Sequence, residues 1–141
     1  MSKKQPPIIT FKGRSLGIVI LVVAQLIIGA IHAFFGLLLF AYENLSFLPA
    51  TAVYDVYTFV FGFLALVFAV FIWQGKKVGW IGTIAVSLFV IAADSLTLLD
   101  LPSIPGIPKF AGFTEIAYSV LVVGYLLQTR IRRNYFSPKK M

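Results

Sequence analysis

The stretch SLGIVILVVAQLIIGAIHAFFGLLLFA, residues 15–41, is almost entirely apolar and contains no charged side chain. An α-helix rises about 1.5 Å per residue, so about 20 residues cross a hydrocarbon layer of about 30 Å. Lipid offers no partner to a free backbone N–H or C=O group, which favours a helix over irregular chain. The stretch therefore predicts a membrane-spanning helix.

Three similar runs follow, over residues 54–74, 78–99 and 111–129. Hydrophobic residues make up 60% of the 141-residue chain and charged residues 12%, whereas soluble domains are about 45–50% apolar and about 25% charged. The sequence predicts an all-α, polytopic membrane protein: one domain, 1–141, of four transmembrane helices paired as two antiparallel hairpins. Because the chain has no cysteine, it can form no disulfide and no thiolate metal site.

Basic residues mark one side of the predicted bundle. They fall in the tails 1–14 and 130–141 and in the short connection at Lys76 and Lys77, and only Lys109 lies elsewhere. Basic loops are typical of the cytoplasmic side of a membrane, so we expect a multi-pass protein of the cell membrane with both termini cytoplasmic. The net charge of +7 arises from these flanks and indicates contact with lipid headgroups rather than nucleic acid.

The first predicted span carries a stripe of polar and small residues at helical spacing: Gln25, Gly29, His32 and Gly36. One interpretation is a helix–helix seam, where small residues allow close approach and polar side chains bond across it. The other is a buried functional site, because ionisable residues inside a span are candidates for function. His32 is the only histidine in the chain.

The third span carries a comparable stripe: Thr83, Ser87, Asp94 and Thr97. An ionised carboxylate inside a membrane is costly, so we expect Asp94 to be protonated, hydrated or paired. His32 lies at a comparable predicted depth and is its expected partner. Such a pair suits proton relay, metal ligation or a structural hydrogen bond.

Other acidic candidates lie toward the outer side: Asp55, Asp100 and Glu115. Asp55 shares a face of the second span with Thr58, Gly62, Ala65 and Ala69, which predicts a packing surface. Glu115 heads a face of the fourth span that carries Tyr118 and Tyr125. Two interpretations stay open: the tyrosine hydroxyls bond to neighbouring spans, or Glu115 meets solvent at a helix N-terminus, where its charge suits the helix dipole. No metal-ligand spacing or nucleophile motif is present. No catalytic residue or metal site is predicted, and the cofactor is left unknown.

Three motifs lie at the ends of the predicted spans: GRSLGIVIL (13–21), WQGKKVGW (73–80) and LLQTRIRRNYF (126–136). This layout resembles an uncharacterised group of small four-span membrane proteins of archaea and bacteria. The resemblance covers nearly the whole chain. It implies architecture only, because the group brings no activity and no residue roles.

Small size, packing faces and the lack of a catalytic motif favour a non-catalytic accessory or structural subunit of a larger membrane complex, such as a respiratory or monooxygenase-type enzyme. One alternative is a small proton-coupled or small-solute transporter that uses His32 and Asp94. Another is a membrane enzyme subunit whose metal or cofactor is held by His32 and the acidic candidates. The expected partners are lipids and other membrane subunits or a second copy, and the chain is not expected to be an enzyme on its own.

Overall fold

Five helices and one short hairpin make up the described part of the chain, which is residues 10–11, 14–46 and 52–136 of a computed structural model. The strands β1 (Thr10–Phe11) and β2 (Arg14–Ser15) pair antiparallel. The helices are α1 (Leu16–Ser46), α2 (Ala52–Trp73), α3 (Lys77–Leu98), α4 (Lys109–Leu126) and α5 (Thr129–Phe136). Much of both predicted basic tails lies outside the described residues.

The all-α prediction is confirmed, and α1 to α4 are four candidate membrane spans, since each is long and apolar enough to cross a membrane. The fourth helix differs from the predicted run 111–129, because α4 ends at Leu126 and a separate helix, α5, follows. The predicted basic tail therefore contains helix. Ile131 and Tyr135 are buried while the arginines of α5 are exposed, so α5 is amphipathic and lies against the bundle instead of prolonging the span.

Glycines allow α1 and α2 to pack backbone against backbone. A Cβ atom at Gly62 would overlap the backbone nitrogen of Ala33 and lie 2.7 Å from the carbonyl oxygen of Gly29. The whole predicted packing face of α2 is buried, namely Asp55, Thr58, Gly62, Ala65 and Ala69. Close approach through small residues is how helices associate in lipid, where no hydrophobic effect drives them together.

Gly75 reverses the chain between α2 and α3. Its φ of 72° lies in the left-handed region that glycine adopts without steric cost. The Lys76 N–H donates to the Phe71 carbonyl over 2.9 Å, which is the Schellman arrangement at a helix end. The turn sets α3 antiparallel to α2, with Gly79 against the backbone of Phe71 and Ile72.

Helix α4 packs antiparallel to α3. The Trp80 Nε1–H donates to the Leu126 carbonyl over 2.9 Å at one end, and Gly112 lies against Asp94 at the other. Helix α4 also approaches the start of α1, where Ser15 Oγ and the Tyr125 hydroxyl share a hydrogen bond of 3.2 Å. These contacts close the four long helices into a bundle.

An apolar core fills the end of the bundle where α1 begins and where α2 and α4 end. It consists of Ile18, Leu21, Val22, Ala69, Ile72, Val122, Leu126, Ile131 and Tyr135. The Tyr135 hydroxyl donates to the Ile72 carbonyl over 3.3 Å, which docks α5 on this core, and burial raises the pKa of Tyr135 to about 12. Buried polar side chains occupy the middle and the opposite half of the bundle.

Candidate functional site

His32 on α1 makes two contacts that define how its ring is protonated. Nδ1 lies 2.8 Å from the carbonyl oxygen of Ile28, and Nε2 lies 3.2 Å from Oε1 of Glu115. A carbonyl oxygen only accepts, so Nδ1 carries a hydrogen. The contact between Nε2 and Oε1 then holds one proton, either on an imidazolium facing a carboxylate or on a carboxyl facing a neutral imidazole. In both arrangements the pair is electrically neutral.

Glu115 lies within the bundle and not at its outer surface. Helix α4 begins at Lys109, so Glu115 sits about 9 Å along the helix. Its side chain is 17% exposed and that of His32 is 23% exposed. A pair this well shielded interacts more strongly than a surface pair, because little water screens it.

Asp94 on α3 lies beside Glu115 and is completely buried, with 0% of its surface exposed. Its carboxyl group interacts electrostatically with that of Glu115, yet neither of its oxygens has a hydrogen-bond partner among the described residues. Two ionised carboxylates side by side would repel each other and lose their hydration. His32, Glu115 and Asp94, hereafter the His–Glu–Asp cluster, are therefore expected to hold protons in common.

The predicted partner of His32, Asp94, is corrected to Glu115. Depth alone suggested Asp94, but depth does not show which helix faces His32. At the level of His32, the side chain that reaches it is Glu115 of α4. A side-chain contact between α1 and α3 lies nearer the α2–α3 turn, where Gln25 Nε2 donates to Thr83 Oγ1 over 3.3 Å. Asp94 joins the site through Glu115.

Aromatic and small residues pack around the cluster. The Phe61 ring meets the His32 imidazole edge-on, with 5.1 Å between ring centroids. A Cβ atom at Gly112 would lie 3.4 Å from Asp94 Cβ and 3.8 Å from Ile107 Cγ2. Ile107 belongs to the proline-rich loop between α3 and α4 and is buried. This loop residue therefore covers the cluster at the end of the bundle opposite the α2–α3 turn.

The remaining predicted polar residues occupy separate places. Gln25 and Ser87 are buried deeper in the bundle and line an internal cavity. Asp55 is buried at the α1–α2 interface, where its backbone carbonyl lies against Gly36. Asp100 is exposed and pairs with Lys109, at 2.7 Å between Oδ1 and Nζ.

The alternative of a metal held by His32 together with the acidic candidates Asp55, Asp100 and Glu115 can be compared with the positions of these residues. Within the described ranges, no three His, Cys, Asp or Glu residues stand where they could hold a metal ion together. Glu115 alone of the outer acids reaches His32. The sequence feature that indicates an inward-facing Glu115 is its position one turn before Tyr118, on a face of α4 that also carries the buried Val122.

Comparison with protein-family models, with curated proteins and with solved structures found no match. No family is identified for the chain. Function is therefore argued from the chemistry of the cluster: one imidazole and two carboxyl groups from three helices, held together inside an apolar bundle.

Proposed function

We propose that this small multi-pass membrane protein binds a proton within the bilayer at the His–Glu–Asp cluster and acts as a proton-coupled transporter or a proton conductor. The observation that carries the proposal is Asp94, a fully buried carboxyl set beside a second carboxyl that contacts a histidine. An unpaired buried polar group costs about 1–3 kcal/mol. A cost of this size supports a functional role, because an apolar side chain would serve packing better.

Counting protons supports the same function. One proton sits on Nδ1 of His32, one in the contact between His32 and Glu115, and one on Asp94, and with these three the cluster is neutral. Release of one proton leaves the cluster with one net negative charge, wherever the two remaining protons sit. The cluster can therefore alternate between two states that differ by one proton, and the charge of the deprotonated state is shared among three neighbouring side chains instead of resting on an isolated ion in lipid.

Flux through proteoliposomes tests this proposal. Vesicles containing the protein and an internal pH-sensitive dye are expected to acidify faster than protein-free vesicles when a potential drives protons inward. Asp94→Asn and His32→Gln are expected to lose most of that flux. Asp100→Asn is the matched control, because it removes a carboxyl of the same kind that is exposed and paired with Lys109. Wild-type flux in both cluster variants would remove the cluster from the pathway.

A second candidate function is a non-catalytic accessory or structural subunit of a larger membrane complex, of the respiratory or monooxygenase type for example. An apolar groove of about 520 Å³ between α2 and α3 favours it. The groove is lined by Val53, Val56, Tyr57, Val60, Phe61, Leu64, Ala85, Val86 and Phe89. A transmembrane helix of a partner would fill this groove with side chains, and lipid acyl chains compete for the same surface.

Extraction from native membranes in a mild detergent tests the subunit function. A co-purifying membrane protein is expected to stay with the wild type and to be lost from Val60→Trp, which fills the groove. Leu121→Trp is the control, because Leu121 is 73% exposed on α4 and does not line the groove. Purification of the chain alone from native membranes would count against this function.

The proposed orientation has both termini in the cytoplasm of a cell-membrane protein. It is supported by Arg14, by Lys76 and Lys77 in the α2–α3 turn, and by the arginines of α5, which all belong to the same end of the bundle. Basic residues at one membrane face are typical of the cytoplasmic side.

A further inference from the structure

A small cavity lies between the four long helices, deeper than the His–Glu–Asp cluster. Its volume is about 10 Å³, and it is lined by Gln25, Ile28, Phe61, Ala65, Phe68, Thr83, Val86, Ser87, Tyr118 and Ser119. Two of its lining atoms, Gln25 Oε1 and the Tyr118 hydroxyl, are buried without a hydrogen-bond partner among the described residues.

We propose that this cavity is a binding site for one water molecule that bridges Gln25 Oε1 and the Tyr118 hydroxyl and relays protons to the His–Glu–Asp cluster. A cavity holds a water once about one probe sphere of space, roughly 10–15 Å³, is combined with two to four polar partners. This cavity is at the lower limit of that size and offers both unpaired atoms, and two serines, Ser87 and Ser119, are also among its lining residues.

Donors and acceptors match around such a water. Gln25 uses its Nε2 to donate to Thr83 Oγ1 over 3.3 Å, so its Oε1 is left to accept. The Tyr118 hydroxyl can donate or accept. A water that donates to Gln25 and accepts from Tyr118 satisfies both groups, which would otherwise stay buried without a hydrogen bond.

The location of the cavity suggests a relay. Tyr118 follows Glu115 by one turn of α4, and Ser87 precedes Asp94 by about two turns of α3. The water therefore lies on the inner side of the cluster and extends its chain of polar groups toward Gln25 on α1. This relay role rests on the proposed proton function, whereas the water site rests on the cavity and its two unpaired atoms.

The first test is an experimental structure that resolves ordered waters. One density peak is expected within hydrogen-bond distance of Gln25 Oε1 and the Tyr118 oxygen. In Ala65→Val, which adds two methyl groups at a residue that lines the cavity, the peak is expected to be lost. Clear side-chain density with no peak in the wild type would overturn the water site, and so would a peak that persists unchanged in both Ala65→Val and Tyr118→Phe.

The second test measures the rate and the amplitude of proton uptake after a pH jump on the full chain in nanodiscs. Ala65→Val and Tyr118→Phe are expected to slow uptake about tenfold with an unchanged amplitude, because the cluster itself is intact. Tyr125→Phe is the control, since Tyr125 lies two turns along the same helix and its hydroxyl bonds Ser15. Wild-type rates in both variants would overturn the relay. No uptake in the wild type would overturn the proton function and the relay together, while the density peak would still decide the water site.

Discussion

Replacing Asp94 with leucine separates a functional carboxyl from a structural one. Asp94 is 0% exposed and its two oxygens have no hydrogen-bond partner among the described residues. If the carboxyl serves proton binding, it weakens the fold, and Asp94→Leu should stabilise the protein while it abolishes proton uptake. If the carboxyl holds the helices together, the same substitution should destabilise it.

The expected change in the free energy of unfolding has two contributions, one from the buried carboxyl group and one from the space around it. Removing an unsatisfied buried polar group stabilises the fold by about 1–3 kcal/mol. Leucine has the same branching as aspartate, so the strain comes only from its larger methyl groups, and the residue that faces it from α4 is Gly112, which has no side chain to displace. Overpacking costs about 1–3 kcal/mol in a tight core, and we place this site at the low end. We expect a net stabilisation of roughly 1 kcal/mol, which is about a fivefold change in the unfolding equilibrium constant.

The assay is reversible chemical denaturation in detergent micelles, followed by tryptophan fluorescence and combined with proton uptake on the same samples. Asp94→Asn is the isosteric control, which keeps the shape and polarity and removes the titrating group. It is expected to match the wild type in stability and Asp94→Leu in lost uptake. Destabilisation of Asp94→Leu by more than about 1 kcal/mol, with Asp94→Asn unaffected, would refute the reasoning and identify Asp94 as a structural hydrogen-bonding residue.

Three further predictions concern the bundle. Gly62→Leu should cost about 1–3 kcal/mol or more by forcing α1 from α2, and an unchanged denaturation midpoint would show that the helices are not in backbone contact there. Burial raises the pKa of Tyr135 to about 12, so the stability that its neutral phenol contributes is complete below pH about 10 and is lost as the pH rises toward 12. Tyr135→Phe should flatten that alkaline loss in thermal unfolding, and an identical pH profile would contradict the buried phenol. Because the chain has no native cysteine, Ser103→Cys should react with an impermeant maleimide in intact cells and Lys76→Cys only after permeabilisation; the reverse pattern would invert the proposed orientation.

The spans could be predicted from the sequence because lipid imposes one simple rule, a long apolar helix, on every crossing segment. The packing face of α2 could also be predicted from the sequence, because small residues recur there at helical spacing. All of them are buried. The end of the fourth span was harder to place. Residues 127–129 are compatible with more helix, and α4 ends at Leu126 because α5 docks through Tyr135 on the core.

The pairing of His32 with Glu115 could not be predicted from the sequence, and the reason is geometric. His32, Asp94 and Glu115 all lie in the same half of the bundle, but apolar helices of similar pattern do not show which neighbours touch at a given level. The contact between the His32 and Glu115 side chains depends on how the helices approach and rotate, which close packing at positions such as Gly62 against Gly29 helps to set. Helical spacing predicts which residues share a face, and only packing decides which faces meet.

The central claim is that the His–Glu–Asp cluster holds a proton on a buried carboxyl at neutral pH. Infrared spectroscopy of the protein in nanodiscs measures this directly through the C=O stretch of a protonated carboxylic acid. The band is expected in the wild type at neutral pH, strongly reduced in Asp94→Asn and unchanged in Asp100→Asn. A wild-type spectrum without that band, or one that Asp94→Asn leaves unaltered, would contradict the account.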